Sequence, residues 1–131
     1  MTDSALSLLG LALRGNNLAI GEEPVAEACK AGRARLVLTA ADAAQNSADR
    51  AGRMAELGGV PWVRLPWDKE TLGRALGRRL CAVAALTDRG LAAALAEKLA
   101  GRDEDLRPIA SLLNETKKSR AGMKRPAAPE I

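Results

Sequence analysis

Four short apolar runs, Leu18–Ile20, Leu36–Thr39, Val60–Val63 and Leu80–Leu86, are separated by stretches in which apolar residues recur at helical spacing. The runs have the length and composition of strands, and the stretches between them have the 3.6-residue period of amphipathic helices. Strands that alternate with helices restrict the chain to an α/β architecture, with connections that cover both faces of the sheet. The expected fold is a three-layer α/β/α sandwich built on a small, mixed four-stranded sheet.

The best-defined joint is Leu18 to Gly32. Its apolar run stops at Gly21, and Val25, Ala28 and Cys29 then recur at i, i+3 and i+4. Glu22 and Glu23 fall in the first turn, where carboxylates oppose the positive end of the helix dipole, and Pro24 stands where a missing N–H is tolerated. Gly32 ends the helix. The space in front of Gly21 therefore faces backbone N–H groups and a positive dipole end, which favours an anion such as phosphate.

The other elements follow from similar signals. Residues 4–14 form a first helix with Leu6, Leu9 and Leu13 on one side, broken by the turn residues Gly15, Asn16 and Asn17. Asn46, with Asp49 three residues on, reads as a capping box for a third helix that Gly58 and Gly59 terminate. Pro61 assigns Val60–Val63 to an edge or a strand start. Asp68 caps a short fourth helix closed by Gly77, and Thr87 or Asp88 caps a fifth that runs to Ala100. Leu80–Leu86 is the most continuously apolar run and belongs in the middle of the sheet.

This organisation gives an α/β/α domain over residues 1–100, an extra C-terminal helix within residues 101–114 that begins near Pro108, and a basic tail over residues 115–131. The tail is poor in apolar residues and rich in Lys, Arg and Pro, a composition expected to be disordered. It serves either to grip RNA phosphates or to solubilise the chain.

Composition removes several functions. The chain has no His, Tyr or Phe, so the commonest general base, the commonest zinc ligand and the phenolic acid are all missing. Cys29 and Cys81, with no histidine beside them, cannot assemble a structural zinc site and read as reduced core residues. No glycine-rich piece matches a P-loop or a dinucleotide fingerprint. The expectation is a protein without catalytic residues, metal or cofactor. No apolar run reaches the roughly 20 residues of a membrane span, so a cytoplasmic monomer without a membrane partner is expected. A net charge of +4 is compatible with RNA without demanding it. Only Trp62 and Trp67 offer rings for base stacking, too few for an aromatic platform.

Leu8–Ala12 followed by Arg14-Gly15, then Gly21-Glu22-Glu23 and Ala31-Gly32, resemble the opening of the bacterial YlxQ-type proteins. Leu36–Asp42, Leu72–Gly77 and Val83–Leu86 ahead of Gly90 resemble the wider superfamily of ribosomal L7Ae and L30e proteins, and the likeness spans roughly residues 6–98. It implies a non-catalytic, ribosomal-protein-like chain that binds structured RNA, typically a kink-turn in ribosomal or messenger RNA, with a ribosome or a protein as a further partner. In that family the contact surface is the start of the second helix, the loop after the second strand and the loop before the last strand. These correspond here to Gly21–Glu27, Ala41–Asn46 and Gly77–Leu80.

The side chains depart from the family's kink-turn pattern. Where Gly-x-Asn-Glu-x-x-Lys is usual, the chain has Glu23 for the Asn and Glu27 for the Lys, and Ala44 replaces the acid that reads an extruded base, with Gln45 and Asn46 adjacent. On charge alone these changes weaken phosphate binding. Arg78 and Arg79 keep the basic flank, since a guanidinium can grip phosphate bidentately or stack on a base. The expected RNA-binding residues are Arg14, Asn16, Asn17, Gly21, Glu22, Glu23, Gln45, Asn46, Arg78, Arg79 and Leu80. Asn16 and Asn17 also read as plain turn residues, and Glu22 as a first-turn dipole partner. The alternative is a protein-interaction module of the same fold whose acidic second helix has lost kink-turn binding.

Overall fold

The computed structural model describes residues 4–122. Its strands are β1 (Leu18–Ile20), β2 (Leu36–Thr39), β3 (Trp62–Arg64) and β4 (Val83–Leu86). Its helices are α1 (Ser4–Arg14), α2 (Glu22–Lys30), α3 (Gln45–Gly58), α4 (Lys69–Ala75), α5 (Arg89–Ala100) and α6 (Arg107–Gly122), with a 3-10 turn at Glu104–Leu106.

The strands form one mixed sheet in the order β1-β4-β2-β3. β4 is antiparallel to both neighbours, with Leu86 opposite Leu18 on one side and Leu36 on the other. β2 and β3 run parallel, Val37 beside Trp62 and Thr39 beside Arg64. β4 and β2 are thus the central strands, and all four residues of each are buried, as their continuous apolar runs require. β3 is an edge strand. Pro61, which has no N–H to give, precedes it and accepts the Val37 N–H on its carbonyl at 3.0 Å.

Side chains alternate between the faces. Leu36, Leu38, Ala84 and Leu86 point to the face covered by α1, α4, α5 and α6, and Val37, Val83 and Ala85 to the face covered by α2 and α3. The result is the expected α/β/α sandwich. The second face is filled by small residues: α3 buries only Ala48, Ala51 and Ala55, so the helix lies close to the sheet. At its far end α3 meets α2 so closely that a Cβ on Gly58 would sit 3.2 Å from the Cys29 Cβ. Thr39, the one buried polar residue among those described, takes a hydrogen bond from the Trp62 indole at 3.0 Å. The two cysteines are free and buried in separate clusters on opposite faces of the sheet.

Several boundaries differ from the sequence reading. α3 begins at Gln45 with Ala44 in the cap position and no side-chain cap, so Asn46 lies inside the helix and no capping box forms. The side chain of Gln45 instead donates to Asp49 at 2.8 Å across one helical turn. β3 is shifted to Trp62–Arg64 by its parallel register with β2. β4 begins only at Val83, because Leu80 and Cys81 belong to the loop from α4, where the Cys81 N–H is held by the Lys69 carbonyl at 3.0 Å. Asp68 and Asp88 do cap α4 and α5, accepting from Thr71 and Leu91 at 2.8 and 2.9 Å. α6 packs Ala110 and Leu113 into the first-face core and continues to Gly122, so the segment from 115 begins in helix. The rest of the expected disordered tail, residues 123–131, lies outside the described residues. No described helix is long and apolar enough to cross a membrane.

Candidate RNA interface

The strand register brings three distant segments to one end of the sheet. Ile20 pairs with Ala84 and Thr39 with Val83, so β1 and β2 both finish where β4 starts. The backbone continues that alignment past the strands: Gly21 N–H donates to the Val83 carbonyl at 3.0 Å, and Ala40 N–H to the Ala82 carbonyl at 2.9 Å. β3 finishes at the same end, its successor Leu65 donating to the Thr39 carbonyl at 2.7 Å. The start of α2, the loop after β2 and the loop into β4 therefore share one pole.

Each segment is fixed by local chemistry. Gly21 has φ of +101°, a backbone region open to glycine and strained for other residues, and this turns the chain from β1 directly into α2. No side chain caps the first turn of α2, which leaves the Glu22 and Glu23 N–H groups for an anion, Pro24 having none to give. The loop after β2 is braced by the β3–α4 connection, through Ala41 N–H to the Trp67 carbonyl at 2.8 Å and Lys69 N–H to the Asp42 carboxylate at 2.8 Å. Arg64 adds a bond from its guanidinium to the Ala41 carbonyl at 3.1 Å. The loop carrying Arg78, Arg79 and Leu80 lies hard against α4. A Cβ on Gly73 would come within 2.8 Å of the Leu80 Cα and 2.9 Å of the Arg79 carbonyl, so only glycine admits this approach. Arg78, Arg79 and Leu80 are all exposed, Leu80 at 57%.

Glu22 has a more specific role than dipole partner. Its carboxylate accepts from the Arg50 Nε and Nη2 at 2.9 and 2.8 Å, with the Ser47 hydroxyl at 3.3 Å. The Arg50 hydrogen bonds hold the Glu22 carboxyl below the usual carboxylate range, against a smaller opposing effect of desolvation. This fork ties the first turn of α2 to the first turns of α3 and neutralises one acid of the pole. Glu23 and Glu27 are exposed and carry no ion pair among the described residues.

Gly21, Glu22, Glu23, Gln45, Asn46, Arg78, Arg79 and Leu80 thus belong to the segments that meet at the pole. Arg14, Asn16 and Asn17 do not. Asn17 precedes Leu18 at the start of β1, and its carbonyl takes the Thr87 N–H at 3.0 Å, beyond the far end of β4. Asn16 adopts φ of +63°, so these asparagines close the α1–β1 turn at the opposite pole, and Arg14 lies in the last turn of α1 beside them. Neither tryptophan presents a free ring: Trp62 packs on Gly52 and bonds Thr39, and Trp67 lies under the Arg102 guanidinium at 5.5 Å. Sequence reading missed Arg50 and Arg53 on α3. Their spacing from Asn46, at i+4 and i+7, was the available signal.

Comparison with known proteins supplies the family. Residues 3–96 match the Ribosomal protein L7Ae/L30e/S12e/Gadd45 family. The chain is 35% identical over 85 residues to the RNA-binding protein YlxQ of Bacillus subtilis (strain 168), covering 65% of this chain and 84% of that one. A solved structure of a protein of unknown function from Bacillus halodurans C superposes with a TM-score of 0.67 at 32% identity, over 72% of this chain and 94% of the other. The Giardia lamblia 15.5kD RNA binding protein superposes with a TM-score of 0.60 at 25% identity, over 81% and 92%. Sequence and fold agree: the chain belongs to the ribosomal protein L7Ae/L30e/S12e/Gadd45 family, as a YlxQ-like member.

Proposed function

We propose that the chain is a non-catalytic, ribosomal-protein-like RNA-binding protein that recognises structured, kink-turn-like RNA at the pole formed by the start of α2, the β2–α3 loop and the α4–β4 loop. The observation that carries this reading is the convergence of those three segments, because they are the ones through which the family resemblance implies contact. Two relatives bear RNA-binding names, and neither they nor the family description name an enzyme. The leading N–H groups of α2 and the paired Arg78 and Arg79 offer phosphate contacts, and recognition by shape and backbone suits folded RNA. Titration of a labelled kink-turn RNA against a duplex control tests it. Tighter binding of the kink-turn, weakened by Arg78→Ala with Arg79→Ala, supports the reading; equal binding of the two RNAs overturns it.

A second reading, a protein-docking module, is favoured by one observation: Glu23 and Glu27 stand exposed on α2 without a cationic partner among the described residues. Changing Glu23→Asn and Glu27→Lys discriminates. A large gain in RNA affinity means the natural surface is tuned away from RNA, whereas no change retains RNA binding by backbone and arginine contacts.

A further inference from the structure

Strand ends also meet at the pole opposite the start of α2. The Arg35 N–H donates to the Leu86 carbonyl at 2.7 Å, which sets the residue before β2 beside the end of β4. The Val37 N–H bond to the Pro61 carbonyl brings the approach to β3 next to them. Arg89 opens α5 just past β4, and α6 buries Leu113 while leaving its neighbour Leu112 51% exposed. Together with Val60 these residues line a pocket of about 250 Å³. Two guanidinium groups and an apolar wall face it, and no acidic side chain among the described residues does. Both arginines are half-buried, and the Arg89 Nε is shut off from solvent. None of the lining residues belongs to Gly21–Glu27, Ala41–Asn46 or Gly77–Leu80. The family match ends at residue 96, so the wall contributed by α6 is an addition to the family domain.

We propose that this pocket docks an acidic segment of a protein partner, with an Asp or Glu carboxylate on Arg35 and Arg89 and a neighbouring apolar side chain against Leu112, Val60 and Pro61. Charge complementarity sets the sign of the occupant. Half-buried guanidinium groups attract an anion more strongly than exposed ones, which water and salt screen, and their planar fork matches a carboxylate bidentately. The volume sets its size: it lies below the usual range of small-molecule sites and suits individual side chains, whereas a nucleotide adds a sugar and a base to its phosphate. Arginine among apolar side chains is also the composition enriched at protein interfaces. Docking here leaves the start of α2 and its neighbouring loops open at the other end of the sheet, so the proposal stands independently of the RNA reading and, combined with it, lets one chain join an RNA to a protein.

The test selects a displayed library of short random peptides on the full chain and then measures binding of the enriched peptides. Enrichment of Asp or Glu beside Leu, Ile or Phe is expected. Arg35→Gln should weaken an enriched peptide about tenfold, as loss of one charge-assisted contact does. Leu112→Ser, at an exposed position that leaves the core intact, should weaken it severalfold, and replacing the peptide's acid by its amide should match the Arg35→Gln loss. Arg78→Ala with Arg79→Ala, at the other pole, should leave peptide binding unchanged. No enrichment, enrichment without an acid, or peptide binding that survives both Arg35→Gln and Leu112→Ser overturns the docking site. A structured RNA that displaces the peptide, and itself binds more weakly to Arg35→Gln, assigns the pocket to phosphate and also overturns it.

Discussion

Replacing Gly73 by alanine separates a packing requirement from helix propensity. In a helix interior, alanine is favoured over glycine by about 1 kcal/mol. At Gly73 the added Cβ meets the Arg79–Leu80 peptide, 2.8 Å from the Leu80 Cα and 2.9 Å from the Arg79 carbonyl carbon and oxygen, and backbone cannot swing aside as a side chain can. Overpacking of this kind costs about 1–3 kcal/mol. Backbone contacts this short put the clash at the upper end of that range, and Gly73→Ala is expected to destabilise by up to about 2 kcal/mol net of the propensity gain, a fall in Tm of up to about 10 °C. Relief of the clash moves the loop bearing Arg78 and Arg79, so affinity for a kink-turn RNA falls as well. Gly10→Ala in α1 is the control, since its Cβ would meet nothing closer than 3.9 Å; it should stabilise by up to about 1 kcal/mol with RNA binding unchanged. Urea unfolding and thermal melts of the two variants provide the comparison. If Gly73→Ala matches Gly10→Ala in stability and RNA affinity, the close approach of the α4–β4 loop is wrong.

Acid should loosen the pole before it melts the core. The Glu22 carboxyl is held below its ordinary 4.5 by Arg50, and Asp68 below its ordinary 3.8 by the Thr71 N–H. A depressed folded-state pKa gives stability that is present above the unfolded value and lost as pH falls through the folded one. Tm against pH should therefore show Glu22→Gln and Asp68→Asn below wild type at neutral pH and converging with it under acid conditions, below 4.5 and 3.8 respectively; a constant offset contradicts this. Leu38→Ala, at a fully buried position on a central strand, should cost about 2–5 kcal/mol in urea unfolding, and a cost below 1 kcal/mol would place that side chain outside the core. Burial raises the Cys29 and Cys81 thiol pKa values, with Arg78 partly opposing at Cys81. A thiol reagent at neutral pH should label neither in the native protein and both after denaturation.

The sheet was readable because its strands are unusually plain: Leu36–Thr39 and Val83–Leu86 are uninterrupted apolar runs, and both occupy the centre. Gly21 was readable because an apolar run stops there and a helix follows at once. Asn46 misled because Asn ahead of a helical pattern imitates a cap, while the true start is set by Ala44 with no side-chain bond at all. Leu80 misled in the same way: the run through Cys81 looks like strand, but Lys69 and Gly73 pull those residues into a loop. Asn16 and Asn17, which also read as plain turn residues, stand only a few positions before Gly21 in sequence, yet β1 carries the chain the full length of the sheet between them and Gly21. The Glu22–Arg50 fork joins residues of separate helices, and no local spacing encodes such a pair. Sequence conveyed elements and their order; contacts made by the folding of α3 against α2 required the three-dimensional arrangement.

Amide chemical shifts recorded while a kink-turn RNA is added address the central claim at residue resolution. The account predicts shifts confined to Gly21–Glu23, Ala41–Asn46 and Arg78–Leu80, with Asn16, Asn17 and Thr87 at the opposite pole unmoved. Shifts centred on Asn16, Asn17 and Thr87, or no shifts at any RNA concentration, would contradict it.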